Sequence, residues 1–168
     1  MGRRESEAQR VNVLVQEACE MAREILREEV RIETTLSSEA GAIHGDVMGL
    51  YQAILNLVFN ARDALEGGGE IEVATHPVDV DTELADKLDL GSGRYVAISV
   101  SDSGAGMDAE TRARAPEPFF STKAIGSGFG LGLSTAEAIV REARGALELQ
   151  SDPSAGTVAR LYLPCADR

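Results

Sequence analysis

The chain has 168 residues, enough for one domain with a buried core, and 28 acidic against 16 basic side chains give it a formal charge of −12. That balance argues against a nucleic-acid surface, which needs a basic patch, and no apolar run approaches the ~20 residues of a membrane span. Cys19 and Cys165 are isolated, with no His beside them, so they form no zinc motif; they suit a reducing compartment, and the cytoplasm is the expected location.

The opening "MGRRES" fits the short myristoylation pattern, which often arises by accident, and equally fits the edge of a fragment. Residues 11–28 are expected to form an amphipathic helix, with Val11, Leu14, Val15, Ala18, Ala22, Ile25 and Leu26 at helical spacing. "VRIETTL" alternates like a strand. Residues 46–65 form a second helix, opened by Asp46 as N-cap and closed by "GGG". "EIEVATHPV" is a strand with Pro77 near its end, and the acidic residues 79–93 are expected to be a solvated connection. "RYVAISVSD" is the clearest strand, with Val96, Ile98 and Val100 facing one way. Residues 103–129 carry no sustained period and are broken by glycines and prolines, as in a functional loop. Helix resumes at about 130–143, and "ALELQS" and "GTVARLYLP" follow as strands joined by a "DPSAG" turn. This order predicts a two-layer α/β sandwich: a mixed, mostly antiparallel sheet of about five strands with about three helices on one face.

Three stretches carry chemistry. On helix 46–65, Gln52, Asn56, Asn60 and Asp63 fall in one stripe, opposite Leu50, Ile54, Leu57, Ala61, Ala64 and Leu65. Solvated faces usually carry Lys and Glu; two amides flanked by Leu55 and Phe59 suit a different role. An Asn carbonyl is an uncharged hard donor, able to complete the shell of a Mg²⁺ that already holds phosphates and waters. "DSGAGM", residues 102–107, follows the best strand, so Asp102 stands at a strand end and Gly104 and Gly106 permit close ligand approach. A plain turn has the same composition. The loose dinucleotide pattern in "GAGMDA" needs a full helix next, which Pro116 cuts short. "GSGFGLGLS", residues 126–134, lacks both the Lys-Ser/Thr ending of a P-loop and G-x-G-x-x-G spacing. What remains is a glycine run delivered to a helix N-terminus, where free amides and the helix dipole favour phosphate, with Lys123 upstream as a point charge.

Taken in order, "NLVFNARDAL", "DSGAGM", "EPFFSTK" and "GSGFGLGLS" resemble the N, G1, F and G2 boxes of the catalytic and ATP-binding domain of sensor histidine kinases, in the Bergerat-fold ATPase superfamily. The nitrogen-regulation type is the nearer flavour, and the resemblance covers roughly residues 10–164. It implies a long mobile ATP lid, with ATP and Mg²⁺ as cofactors. It implies Asn60 as Mg²⁺ ligand with Asn56 and Lys123 beside the chemistry, and Asp102 as acceptor for the adenine amino group. Gly104, Gly106 and Met107 would shape the adenine pocket, and Phe119, Phe120 and Lys123 would ride on the lid. Gly128, Phe129, Gly130, Leu131 and Gly132 would hold the phosphates, with Asp63 and Thr157 near the nucleotide.

The same resemblance implies an ATP-binding catalytic domain over 11–164, a tail at 165–168, and residues 1–10 as an edge or linker from an upstream dimerisation domain. Its partners would be a histidine-bearing dimerisation domain, in the same polypeptide or a homodimer partner, and a response regulator. No nucleic acid or membrane contact is expected of this domain, although a full-length kinase could be membrane-anchored. Three departures stand out: Phe129 where Thr or Leu is usual, Pro116 in place of an aromatic, and "REARGAL" without the usual Gly-Gly. Neither His44 nor His76 has the sequence setting of a phosphoacceptor. The alternatives are an ATP hydrolase, whose water-activating Glu would stand at Asn56, and a serine kinase of the anti-sigma type.

Overall fold

A computed structural model describes residues 9–26, 30–65, 68–104, 132–151 and 156–166. In chain order the elements are β1 (Gln9–Arg10), α1 (Val11–Leu26), β2 (Val30–Leu36), β3 (Ala42–Ile43), α2 (Val47–Ala64), β4 (Gly69–Val80), α3 (Thr82–Leu88), β5 (Gly93–Asp102), α4 (Gly132–Glu142), β6 (Ala146–Ser151) and β7 (Thr157–Pro164). Five strands form one sheet in the order β2-β4-β5-β7-β6. Only β2 and β4 are parallel, because the chain between them crosses over through α2; the other pairs are antiparallel.

Alternation along the strands decides which layer covers which face. Ile71, Val73, Val96, Ile98, Val100, Leu161 and Leu163 point to one side and are buried under α1, α2 and α4. The α2 helix begins at Asp46, whose carboxylate accepts from the Met48 amide at 3.2 Å. It buries Leu50, Ala53, Ile54, Leu57, Val58 and Ala61 in the main core. Midway along β4, opposite the end of β2, a polar knot ties α1 to the sheet. Thr75 Oγ1 donates to Asn12 Oδ1 at 2.7 Å and accepts from the Ser37 amide at 3.0 Å, while Asn12 Nδ2 donates to the Ser37 carbonyl at 2.7 Å. Each buried polar atom there has a partner, so the knot orders the helix without leaving an unpaired group.

The solvated connection expected at 79–93 is instead the seat of a helix. Asp81 caps α3 by accepting from the Leu84 amide at 2.9 Å, and Ala85 and Leu88 bury against the second face of the sheet with Val80, Tyr95, Ala97, Ala146 and Tyr162. Among the described residues the sheet is therefore covered by three helices on one face and a short fourth on part of the other. Pro77 also sits inside β4 rather than near its end. This is permitted because β2 stops at Leu36, opposite Thr75, and leaves β4 without a neighbour on that edge. Ile25, expected in the core, is exposed, since the described residues pack α2, β2 and β1 against the other sides of α1. At the end of α4, Arg144 adopts φ 64° where the resembled family carries glycine, and the Gly145 amide closes the helix on the Val140 carbonyl at 2.7 Å.

Beside α3, Glu148 is buried and gathers three partners: Lys87 Nζ at 3.2 Å, Arg160 NH1 at 3.5 Å and the Tyr162 hydroxyl, which donates at 3.0 Å. Burial and the Glu148 carboxylate push the Tyr162 phenol up to about 12 from 10.0. A folded-state pKa above the unfolded one gives stability that is complete below pH 10.0 and lost as pH rises through about 12. Tyr162→Phe is accordingly expected to flatten the alkaline limb of a melting-temperature profile between those values, compared with the unmodified chain. Parallel profiles would refute the coupling.

Candidate functional site

Three elements meet at one place: the turn after β5 lies against the end of α2, and the amide-bearing side of α2 reaches the first turn of α4. Asp102 is the last residue of β5, where the strand leaves the sheet between β4 and β7; it pairs with Ile71 on one side and Thr157 on the other. Its Oδ1 accepts from the Gly104 amide at 2.9 Å, which folds the chain back over the strand end. Burial raises the Asp102 pKa above 3.8, and the backbone amides of Gly104 and Thr157 partly offset that by favouring the charged form.

Two glycines make this corner possible. A Cβ on Gly104 would run into the Ala64 carbonyl at the end of α2 and approach Asp102 Oδ1 to 2.9 Å. The turn after β5 thus sits backbone to backbone on the helix. Gly156, at φ 79°, packs in the same way against the Asp102 carbonyl. Its neighbour Thr157 is buried, with Oγ1 2.8 Å from Ser151 Oγ, and Ser151 also donates to the Gly156 carbonyl at 3.0 Å. Ser151 was not among the residues singled out from the sequence. Its role arises from the β6–β7 hairpin, which sets it opposite Thr157, and no local spacing announces that.

On α2, Asn56 Nδ2 donates to the Gly132 carbonyl at 3.4 Å, joining the helix to the start of α4. Asn60 lies one turn on and is half-buried, while Gln52, one turn back, is exposed. Asp63 is held by Arg62, whose Nε lies 2.9 Å from Oδ1, and the Arg62 guanidinium lies 5.8 Å from the centre of the Phe59 ring. About 12 Å of helix separates Asn56 from Ala64, so α2 forms one wall with the α4 N-terminus near one end and the Asp102–Gly104 turn at the other.

Of the residues expected at the site, Asn56, Asn60, Asp102, Gly104, Gly132 and Thr157 are brought to this wall and its two ends. Asp63 is engaged by its neighbour. Gly106, Met107, Phe119, Phe120, Lys123, Gly128, Phe129, Gly130 and Leu131, and with them the expected lid, lie outside the described residues. Among the described residues no three His, Cys, Asp or Glu side chains converge as a metal-binding group, and no helix is long and apolar enough to cross a membrane.

Fold and site together define a class: a mixed α/β sandwich in which one helix runs from a strand end to the N-terminus of another helix. The chain belongs to the family described as histidine kinase-, DNA gyrase B- and HSP90-like ATPases, which residues 45–167 match. It is 34% identical over 123 residues to the sensor kinase CckA of Brucella abortus, a stretch that covers 73% of this chain and 13% of that protein. Among solved structures, the mycobacterial sensor histidine kinase MprB superposes with a TM-score of 0.76 at 25% identity, covering 95% of this chain and 97% of that one. Full-length ShkA in complex with AMPPNP gives the same TM-score and identity, covering 96% of this chain and 31% of that one. The chain spans well under a third of the curated relatives it matches.

Proposed function

We propose that this domain binds Mg-ATP between Asp102 and α4 and transfers the γ-phosphate to a histidine on a separate phosphoacceptor domain. The observation that carries this is the spacing of unlike ends along one helix. A half-buried acceptor stands at the Ala64 end of α2, and a helix N-terminus suited to phosphate stands at its Asn56 end. An adenine held at the first end by its amino group lays its triphosphate toward the second.

The donor set fits a metal that arrives with the nucleotide. No carboxylate cage is built among the described residues, and the half-buried Asn60 amide offers one neutral oxygen to an ion already carrying phosphates and waters. Bound there, Mg²⁺ would neutralise charge on the β- and γ-phosphates. Asn60 orients that ion, and Asp102 fixes the base. Gly132 and the α4 amides receive the phosphates, at the end of the glycine run 126–132.

Asn56 favours transfer over hydrolysis. A side-chain amide takes no proton from water, and its Nδ2 is already committed to the Gly132 carbonyl. A histidine acceptor brings its own lone pair and needs no such base. The partners that follow are a helical domain carrying that histidine and a response regulator that receives the phosphoryl group. A cytoplasmic setting, where ATP is abundant, accords with this.

The test uses γ-labelled ATP, this chain and a separate histidine-bearing acceptor domain. Label is expected on the acceptor, with little free phosphate when the acceptor is omitted, and chelating Mg²⁺ with EDTA is expected to stop transfer. Asn60→Ala is expected to lower transfer about 100-fold while leaving the melting temperature near that of the parent. Vigorous phosphate release by the chain alone would favour a hydrolase, and labelling of a serine on a partner would favour the anti-sigma type.

A further inference from the structure

The described residues expose four large apolar side chains, Val13 (49%), Met21 (42%), Ile25 (57%) and Met48 (73%), and all four lie on one side of the molecule, three on α1 and one in the first turn of α2. Met21 and Met48 line a groove of about 460 Å³ between the two helices, floored by Leu14, Val47 and Tyr51 and bordered by Glu17, Glu20 and Glu24. Val13 and Ile25 stand outside the groove, toward the two ends of α1. On a helical projection Val13, Glu17, Glu20, Met21, Glu24 and Ile25 share an arc about 140° wide, which meets the buried side of the helix at Leu14 and Ala18. Among the described residues the groove lining has three carboxylates and no base. Arg23, the one basic residue of α1, is turned away to the Ile32 carbonyl, 2.9 Å from NH2.

We infer that this groove docks a basic amphipathic helix of a partner protein, its apolar stripe seated on Met21, Met48 and Leu14 and its lysines or arginines paired with Glu17, Glu20 and Glu24. Charge complementarity selects this occupant. A second copy of the chain would set carboxylates against carboxylates, and anionic lipid or nucleic acid meets the same repulsion. Two methionines in the lining suit a helix surface, because the unbranched thioether adapts to the side chains laid on it. The site lies on the outer side of α1 and the first turn of α2, and it uses none of the residues assigned to the nucleotide.

The probe is a designed 18-residue helix with leucines at i, i+3, i+4 and i+7 spacing flanked by lysines, titrated into the chain labelled with ¹³C at its methionine methyls. There are four such methyls, Met1, Met21, Met48 and Met107, and those of Met21 and Met48 are expected to shift while Met107 stays in place. Glu17→Gln, Glu20→Gln and Glu24→Gln together are expected to weaken binding about tenfold at low salt. A peptide of the same composition without the stripe is expected to shift neither methyl. Unchanged affinity in the triple variant, or shifts that bypass Met21 and Met48, would overturn the inference. So would self-association of the chain that Met21→Glu abolishes, since the face would then be an interface between copies.

Discussion

Replacing Asp102 by Asn is expected to weaken ATP binding about 10- to 100-fold and to erase the preference for ATP over GTP. With Oδ1 committed to the Gly104 amide, the substitution turns the other oxygen into an NH₂ group and presents a donor where an acceptor stood. The adenine amino group then meets a second donor, whereas the carbonyl of guanine meets a suitable partner. An unmade hydrogen bond to a charged group costs ~1.5–3 kcal/mol, which sets the size of the loss.

Stability is expected to move the other way. Asp102 has its folded-state pKa raised above 3.8, chiefly by burial, so its contribution to stability is complete below 3.8 and lost as pH rises through the raised value. At neutral pH the half-buried charge is a burden that Asn lifts while keeping the turn. The variant should therefore melt higher than the parent at pH 7, with the difference shrinking toward pH 3.8. Calorimetric titration with ATP and GTP, beside melting curves at both pH values, checks the pair. A variant that binds ATP as tightly as the parent removes Asp102 from the adenine site, and one that loses both affinity and stability has merely been damaged.

The second large effect belongs to Gly156. Its φ of 79° is one that side chains rarely adopt, and an added methyl would collide with the Asp102 carbonyl, lie 3.0 Å from its carbon and 3.2 Å from the Ser103 Cα. All three are backbone atoms, so no side chain can swing aside. Gly156→Ala is expected to cost ~2–4 kcal/mol and lower the melting temperature by about 5–15 °C. ATP affinity should fall with it, because the strand end that carries Asp102 must shift. Gly91→Ala, where nothing lies within 4 Å, provides the neutral comparison. An unchanged melting temperature for Gly156→Ala would show that the hairpin yields easily and does not hold Asp102 in place.

The main frame was legible because its periods are long and clean. Residues 46–65 repeat at helical spacing over five turns, and Val96, Ile98 and Val100 recur at every second position of "RYVAISVSD", so α2 and β5 were expected nearly where they lie. The α3 helix was not, for a physical reason. Its seven residues are too few for a period to declare itself, and their acidity resembles a solvated link. The signal present was Asp81 three residues before Leu84, a cap ahead of Leu84, Ala85 and Leu88. The parallel pairing of β2 with β4 is a tertiary outcome that no local pattern encodes. At the site, Asp102 and the amides of α2 were readable from residue type and position. The clamp of Ser151 on Gly156 and Thr157 was not, because a cross-strand pair appears only once the hairpin has a register.

The smallest sheet of the fold has an engineering consequence. The two-residue strand β3 takes β1 on one side, with Gln9 opposite Ile43, and Cys165 on the other through Ile43, while the Ala166 amide reaches the Ala42 carbonyl at 2.8 Å. Strands about 4.8 Å apart on either side of a common neighbour put Gln9 within about 10 Å of Cys165. A bridge of roughly four residues spans that gap. The order of the chain can therefore be rotated, Ala166 sewn to Gln9 and new ends opened at the exposed Gly91, with every strand keeping its neighbours. In such a permutant α3 closes the chain and β5 opens it, which makes the strand bearing Asp102 the first of the large sheet to leave a ribosome.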